Sequence, residues 1–363
     1  MRQLAYVTIA MLIPTGYAAA NQINTGGAEG AYHTTFCPAL EAQLSRSKFE
    51  YKCTPSDGTA DNMSRVAADP RHIGYGQLDV FALEAQALGG AATFTKLRND
   101  DVRECVFAVT RNREITNYGD VAVNAPRLRF ILPPKTSGSA GTFRFLQQAD
   151  SDGLAKAKSV DNVASADEAI KLALAADDAV AFFVQFPDPE NARFKTIQEQ
   201  GGHIVPVLDR AILRQQVDGQ KVYFAQETQV LNANWMTSGQ TVVTACTPLV
   251  LFTGTPDRMT SEKVRQDHKD MIATVQALKV DALLPHEGLF SRVWRRTREL
   301  SGQSVEKLVQ MSETAREKAQ PIMERAKELG GEAVEKAREA AEKAKEAAKK
   351  AMESTLTEPA KPQ

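Results

Sequence analysis

Three short stretches decide how this chain is read: Asn21-Gln-Ile-Asn-Thr-Gly-Gly-Ala-Glu-Gly-Ala-Tyr-His33, Phe49-Glu-Tyr-Lys-Cys-Thr-Pro-Ser-Asp-Gly-Thr-Ala-Asp-Asn-Met63 and Ile73-Gly-Tyr-Gly-Gln-Leu-Asp79. Together they read as strand, Gly-rich turn, helix, strand, polar turn, helix, strand. Both turns fall where a strand ends and a helix begins. Free backbone N–H groups and the positive end of a helix gather at such places, which suits an anion. In open α/β sheets the ligand crevice lies outside the carboxyl ends of the strands.

Downstream, the alternation continues. A helix is expected from Val80 to Ala87, ended by Gly89-Gly90, and Phe94–Arg98 is ambiguous. The continuous apolar run Cys105–Thr110 reads as a buried strand. Ile115–Ala125 is a loop or short helix, and Leu128–Leu132 a strand closed by Pro133-Pro134. Lys135–Thr142 is a second polar, Gly-rich turn before a helix starting at Phe143. Ser165 and Glu168 have capping-box spacing, opening a helix to about Ala176. Ala179–Phe186, His203–Leu208 and Val222–Val230 are extended; Ala192–Glu199 and Thr260–Leu278 are helical. Trp235 lies in a polar stretch, and Pro248 breaks the apolar run Thr241–Phe252 into two strands or one bent strand. Strands alternating with helices predict an α/β fold, and two such units with a returning chain predict two lobes.

The N-terminus reads as a signal peptide. Arg2 supplies a positive start, Leu4–Ile13 an apolar run, and Ala18-Ala19-Ala20 a small-residue cleavage site. No later apolar run approaches the ~20 residues of a membrane span. Export permits disulfides. The four cysteines, Cys37, Cys53, Cys105 and Cys246, allow three pairings. Cys37–Cys53 is favoured because a helix start and the following strand are neighbours in one βαβ unit; Cys105–Cys246 then joins two strands of one lobe. The net charge of −1 gives no bulk-electrostatic pointer to nucleic acid. The five His form no HxH or HExxH pattern.

The order Thr25-Gly-Gly…Gly30-Ala-Tyr32, Ser56-Asp-Gly-Thr59…Asn62 and Ile73-Gly74…Gln77-Leu-Asp79 resembles the start of the TAXI family, the periplasmic solute-binding proteins of TRAP-type transporters. The resemblance continues weakly through Ser137-Gly138-Ser139…Thr142 and covers about residues 21–290. It implies a two-lobed type II periplasmic-binding fold whose lobes are joined by two crossing strands, placed near Asn124–Arg127 and Thr237–Val243. The expected division is 1–20 signal peptide, 21–125 with 240–298 as lobe one, and 126–239 as lobe two. Residues 299–353 form an Ala/Glu/Lys-rich helical extension, and 354–363 a disordered end.

Candidate ligand-binding residues follow from the turns. Lobe one offers Thr25, Gly26, Tyr32, Ser56, Asp57, Gly58, Thr59 and Gln77. Lobe two offers Thr136, Ser137, Gly138, Ser139 and Thr142, with Gln185 at a strand end. A plain helix cap competes with a ligand role at Ser56-Asp57 and again at Ser137. The resemblance implies a small organic acid or an amino acid such as glutamate. Here the chain departs from a carboxylate clamp: no Arg lies inside either turn, and Arg65, Arg127 and Arg144 are the nearest alternatives. Gly26, Gly27 and Gly30 lack the first spacing of a dinucleotide fingerprint. His33, Ser56 and Asp57 could be imagined as a catalytic set, but no GxSxG is present. The reading is therefore a non-enzymatic, cofactor-free periplasmic protein. It would deliver a small anionic organic solute to the membrane subunits of a transporter.

The tail from Ser301 changes composition. Glu332–Lys336, Glu339–Lys343 and Glu346–Lys350 are favourable i,i+4 pairs. The Ala-rich apolar seam is thin for a coiled coil. A solvated spacer helix, self-association, and binding to an envelope component all remain open readings. The alternative for the whole chain is an exported interaction protein that uses the binding fold as a platform for this tail.

Overall fold

The computed structural model describes residues 20–232, 239–283, 298–299 and 305–319. The signal-peptide reading, Trp235, the Glu/Lys pairs beyond 319 and the expected disordered end lie outside the described residues. The first unit is β1 (Asn21–Asn24), a turn, α1 (Cys37–Arg46), β2 (Tyr51–Thr54), α2 (Thr59–Ala68), β3 (Ile73–Gln77) and α3 (Leu78–Ala87). β4 (Phe94–Thr110) leads to α4 (Tyr118–Asn124). The second unit is β5 (Arg129–Leu132), α5 (Gly138–Ala149), β6 (Ser159–Asn162), α6 (Ala166–Ala173), β7 (Ala179–Gln185), α7 (Ala192–Glu199) and β8 (His203–Val205). There follow α8 (Arg210–Leu213), β9 (Gln216–Val217), β10 (Gln220–Lys221), β11 (Phe224–Leu231), β12 (Gln240–Gly254), α9 (Glu262–Ala277), α10 (Val280–Leu283) and β13 (Arg298–Glu299). Residues 305–319 are helical and are called α11. No helix among the described residues is long and apolar enough to cross a membrane.

The result is a mixed α/β fold, as expected. Its main sheet runs β2-β1-β3-β12-β4-β7-β5-β6, with β11 beside β12 and β8 beside β4. β1 is parallel to both β2 and β3, and β5 is parallel to both β6 and β7. These two parallel blocks are the two α/β units. Between them lie the antiparallel long strands β4 and β12.

Each long strand belongs to both halves. In β12, Leu249–Thr253 pair with β3, while Phe224–Leu231 of β11 pair along Gln240–Cys246. In β4, Phe94–Asp100 pair with the far end of β12, while Cys105–Val109 pair with β7. The register between them slips at Pro248/Leu249, where the partner changes from Arg103 to Asp100. Proline lacks the ladder N–H and is accommodated at such an irregularity. The run Thr241–Phe252 is therefore one strand with a break in pairing. Of the two expected crossings, Asn124–Arg127 lies outside both long strands, while Gln240–Val243 fall within the start of β12. Asn124 ends α4, which Asn117 and Asp120 cap reciprocally.

Both disulfides have the expected pairing: Cys37–Cys53 and Cys105–Cys246. Cys105 and Cys246 stand directly opposite each other, so this bridge staples the two crossing strands beside the register break. An apolar cluster continues across the junction. Met63, Leu78 and Phe252 from one half pack in the same cluster as Phe130, Phe143 and Val180 from the other.

The start of the tail is not a solvated spacer. Val309 and Ser312 of α11 are buried, and Arg316 forms paired hydrogen bonds to the Asp150 carboxylate, 2.9 Å each. Ser312 Oγ donates to Asp209 at 3.2 Å, and Arg210 binds Glu306 and Glu313. Thus residues 305–319 are part of the folded body.

Candidate interlobe cleft

The turns that looked like a two-sided cradle meet each other. Gly58 opens α2 with φ +125°, a conformation L side chains rarely adopt, and a Cβ there would lie 3.0 Å from Ser137 Cα. A Cβ on Gly138 would lie 2.1 Å from Gln77 Oε1. Gly58 thus lets the N-terminal turns of α2 and α5 press together, and Gly138 makes room for the Gln77 side chain at the start of α3. The second turn is also shorter than expected. α5 begins at Gly138, five residues before Phe143, because Ser137 Oγ accepts the Ala140 N–H at 3.2 Å and caps it.

The remaining candidate residues are largely occupied by neighbours. Thr25 Oγ1 donates to the Thr54 carbonyl and lies 3.1 Å from His33 Nδ1. Gly26 lies beside the Tyr32 ring, where a Cβ would make ordinary contact at 3.7 Å. Thr59 Oγ1 donates to Gln77 Oε1 at 2.7 Å. Ser139 Oγ accepts the Val184 N–H, Thr136 contributes its carbonyl to the contact around Gly58, and Thr142 is fully buried. Asn62, in the quoted stretch, donates to the carbonyls of Thr25 and Tyr75 and so ties β1 to β3.

Beside this contact lies a cavity of about 950 Å³. Its walls come from the loops after β1, β2, β5, β6 and β7, all at the carboxyl ends of parallel strands. Of the residues expected at a ligand, Ser56, Asp57 and Gln185 border it. Eleven others do not: Thr25, Gly26, Tyr32, Gly58, Thr59, Gln77, Thr136, Ser137, Gly138, Ser139 and Thr142. The alternative arginines are elsewhere as well. Arg65 pairs with Asp61, Arg144 with Glu84, and Arg127 is exposed.

Glu104 reaches the cavity from the crossing segment of β4. Its side chain is buried, and Oε2 accepts hydrogen bonds from Tyr32 Oη and Gln77 Nε2, both 2.6 Å. Tyr32 is held for this by stacking on Tyr75 and an edge contact with Phe186. Burial, with a smaller push from the Asp79 charge, raises the Glu104 carboxyl to about 7 despite those two donors. In the loop after β7, burial raises the Asp188 carboxyl from its ordinary value. Arg193 Nη1 donates to Gln185 Oε1 at 2.7 Å, and its Nε donates to Asp167 at 2.7 Å. Among the described residues no cluster of His, Cys, Asp and Glu could hold a metal ion.

No family model matches the chain. No curated protein matches its sequence. Solved structures do resemble it. MatC from Rhodopseudomonas palustris with bound malate is 12% identical, with TM-score 0.41 over 82% of this chain and 98% of that one. A binding-protein component of an ABC phosphonate transporter from Pseudomonas aeruginosa is 13% identical, with TM-score 0.39 over 85% and 99%. An ABC-type phosphate transport receptor from Vibrio cholerae is 11% identical, with TM-score 0.39 over 72% and 96%.

Sequence reasoning missed Glu104, Asp188 and Arg193. Glu104 sits in the polar run Asn99–Glu104 ahead of an apolar strand. Its one local signal is position, since it directly precedes the buried segment Cys105–Thr110. Asp188 lies between two prolines after β7, where a strand-end loop was already legible.

Proposed function

We propose that this protein is an exported solute-binding protein of the two-lobed periplasmic type, akin to the TAXI proteins. It captures a small organic solute in the cleft and delivers it to a membrane transporter. The observation supporting this reading is the cavity itself, about 950 Å³ and bounded by strand-end loops of both halves. That is the size and placement of a small-molecule site. The lobes are divided within the crossing strands: residues 21–103 with 248–283 form one, and 104–247 the other. Closure about β4 and β12 encloses the solute. Binding needs no catalytic group and no cofactor; affinity comes from groups on both walls. Ser56, Asp57 and Gln185 remain ligand residues on this reading, joined by Glu104, Asp188 and Arg193.

A thermal-shift panel of amino acids, amines and organic acids tests it on the purified protein. A solute at about 100 times its dissociation constant stabilises by roughly 2.7 kcal/mol, several degrees in melting temperature. Ala164→Trp, which places an indole into the cavity from its exposed rim, is expected to abolish the shift. A panel that leaves the wild type unshifted, or a shift that Ala164→Trp leaves intact, overturns the reading.

A further inference from the structure

We infer that the solute carries an organic ammonium group and that Glu104 at the cleft floor is its counter-ion. The inference rests on the solute-binding reading above and narrows the expected organic acids and amino acids to solutes that carry an ammonium group.

The first ground is the charge of the walls. Four carboxylates border the cavity, those of Glu29, Asp57, Glu104 and Asp188. Among the described lining residues, Arg193 is the one cation, and it already binds Asp167 through Nε and Nη2. An entering dicarboxylate would meet a negative field with its only guanidinium engaged. An entering ammonium would meet the reverse.

The second ground is Glu104. It is 7% exposed. Oε2 is taken by Tyr32 and Gln77, both neutral donors. Oε1 receives no hydrogen bond from the described residues, and the residue borders the cavity. Removing a carboxylate from water without a cation is costly, and a cation arriving from the cleft offsets that cost. Phe186 borders the same cavity, with its ring packed against Tyr32 and Phe36.

The third ground is the fate of the anion donors. An anion was expected between two helix starts, but those turns are in contact: Gly58 has 3.0–3.1 Å between its Cβ position and the Thr136–Gly138 backbone. The Ala140 N–H is capped by Ser137. The starts of α2 and α5 therefore meet each other instead of framing an anion between them, although Gly27–Ala31 of the first turn still border the cavity.

Isothermal titration of the full-length protein at pH 8 tests this with putrescine, L-lysine, succinate and inorganic phosphate. The expected result is binding of the two amines at least about tenfold tighter than either anion. Glu104→Gln, which keeps an oxygen for Tyr32 Oη, should weaken amine binding by at least about tenfold. Asp188→Asn, at the half-exposed wall, should weaken it less and serves if Glu104→Gln does not fold. Succinate or phosphate binding tighter than the amines overturns the ammonium assignment and leaves solute capture standing. So does amine binding unchanged in both variants. No heat from any of the four overturns both.

Discussion

The Glu104 carboxyl is lifted to about 7 chiefly by burial, whereas an unfolded glutamate titrates near ~4.3. The folded value is the higher one, so folding takes up a proton between these two pH values. The contribution of this group is most favourable below ~4.3, declines as pH rises towards 7, and is constant above. The full swing is on the order of 3 kcal/mol. Glu104→Gln should therefore be more stable than the wild type at pH 8 in urea denaturation, by about 1–3 kcal/mol, with the difference shrinking towards pH 4.5. The neighbours matter to this sign. Asp79 is also raised by burial, and the Tyr32 phenol is held protonated well beyond this range. Asp188 and Arg193 border the same cavity as Glu104. A stability difference with no pH dependence would show that Glu104 is not the group titrating.

At the scale of elements, α11 is fastened to the body by one cation shared between two buried carboxylates. Arg316 binds both oxygens of Asp150 and reaches Asp209 at 3.2 Å, with its guanidinium 5.5 Å from the Tyr118 ring centroid. The carboxylate side chains are 4% and 6% exposed. Burial pushes Asp150 up, but the hydrogen bonds and charge of Arg316 more than offset it and hold the carboxyl below its usual range. Its stabilisation is present above about pH 4 and is lost as pH falls through the depressed folded value. Arg316→Ala leaves both carboxylates without their cation. We expect a loss of about 2–4 kcal/mol in urea denaturation, discounted from a fully buried pair because Arg316 is 25% exposed. Arg316→Lys should restore less than half, since an ammonium cannot make the paired contact. A loss below about 0.5 kcal/mol would show that α11 does not depend on this cation.

For the whole molecule, the decisive feature is that the two halves share β4 and β12. The Cys105–Cys246 bridge joins these strands where they cross and closes 141 residues of sequence, against 16 for Cys37–Cys53. Chain entropy assigns about 5 kcal/mol to the first and about 3 to the second. Cys105→Ala with Cys246→Ala should therefore lower the denaturation midpoint more than Cys37→Ala with Cys53→Ala. The reverse order would place the main restraint in the first βαβ unit.

Much of the element order was written locally. The first βαβ unit, the helix Ala192–Glu199 and the cap at Ser165 follow from short-range periodicity and capping, which need no partner. The Cys37–Cys53 pair was legible for the same reason, since both residues belong to one unit. Three features were not local. The polar segment Asn99–Glu104 became the middle of a 17-residue strand because backbone pairing with β12 outweighed its side-chain polarity. The polar turn at Ser56–Thr59 and the Gly-rich turn at Thr136–Thr142 were both expected at a ligand, yet Gly58 lies against the Ser137–Gly138 backbone and Gly138 against the Gln77 side chain. Arg316 met Asp150 across 166 residues of sequence, a partnership no helical spacing encodes. By itself, then, the sequence determined the kinds and order of the elements, through contacts a few residues long. The tertiary structure alone decided which groups face the cleft, because that depends on how two distant units pack against one another.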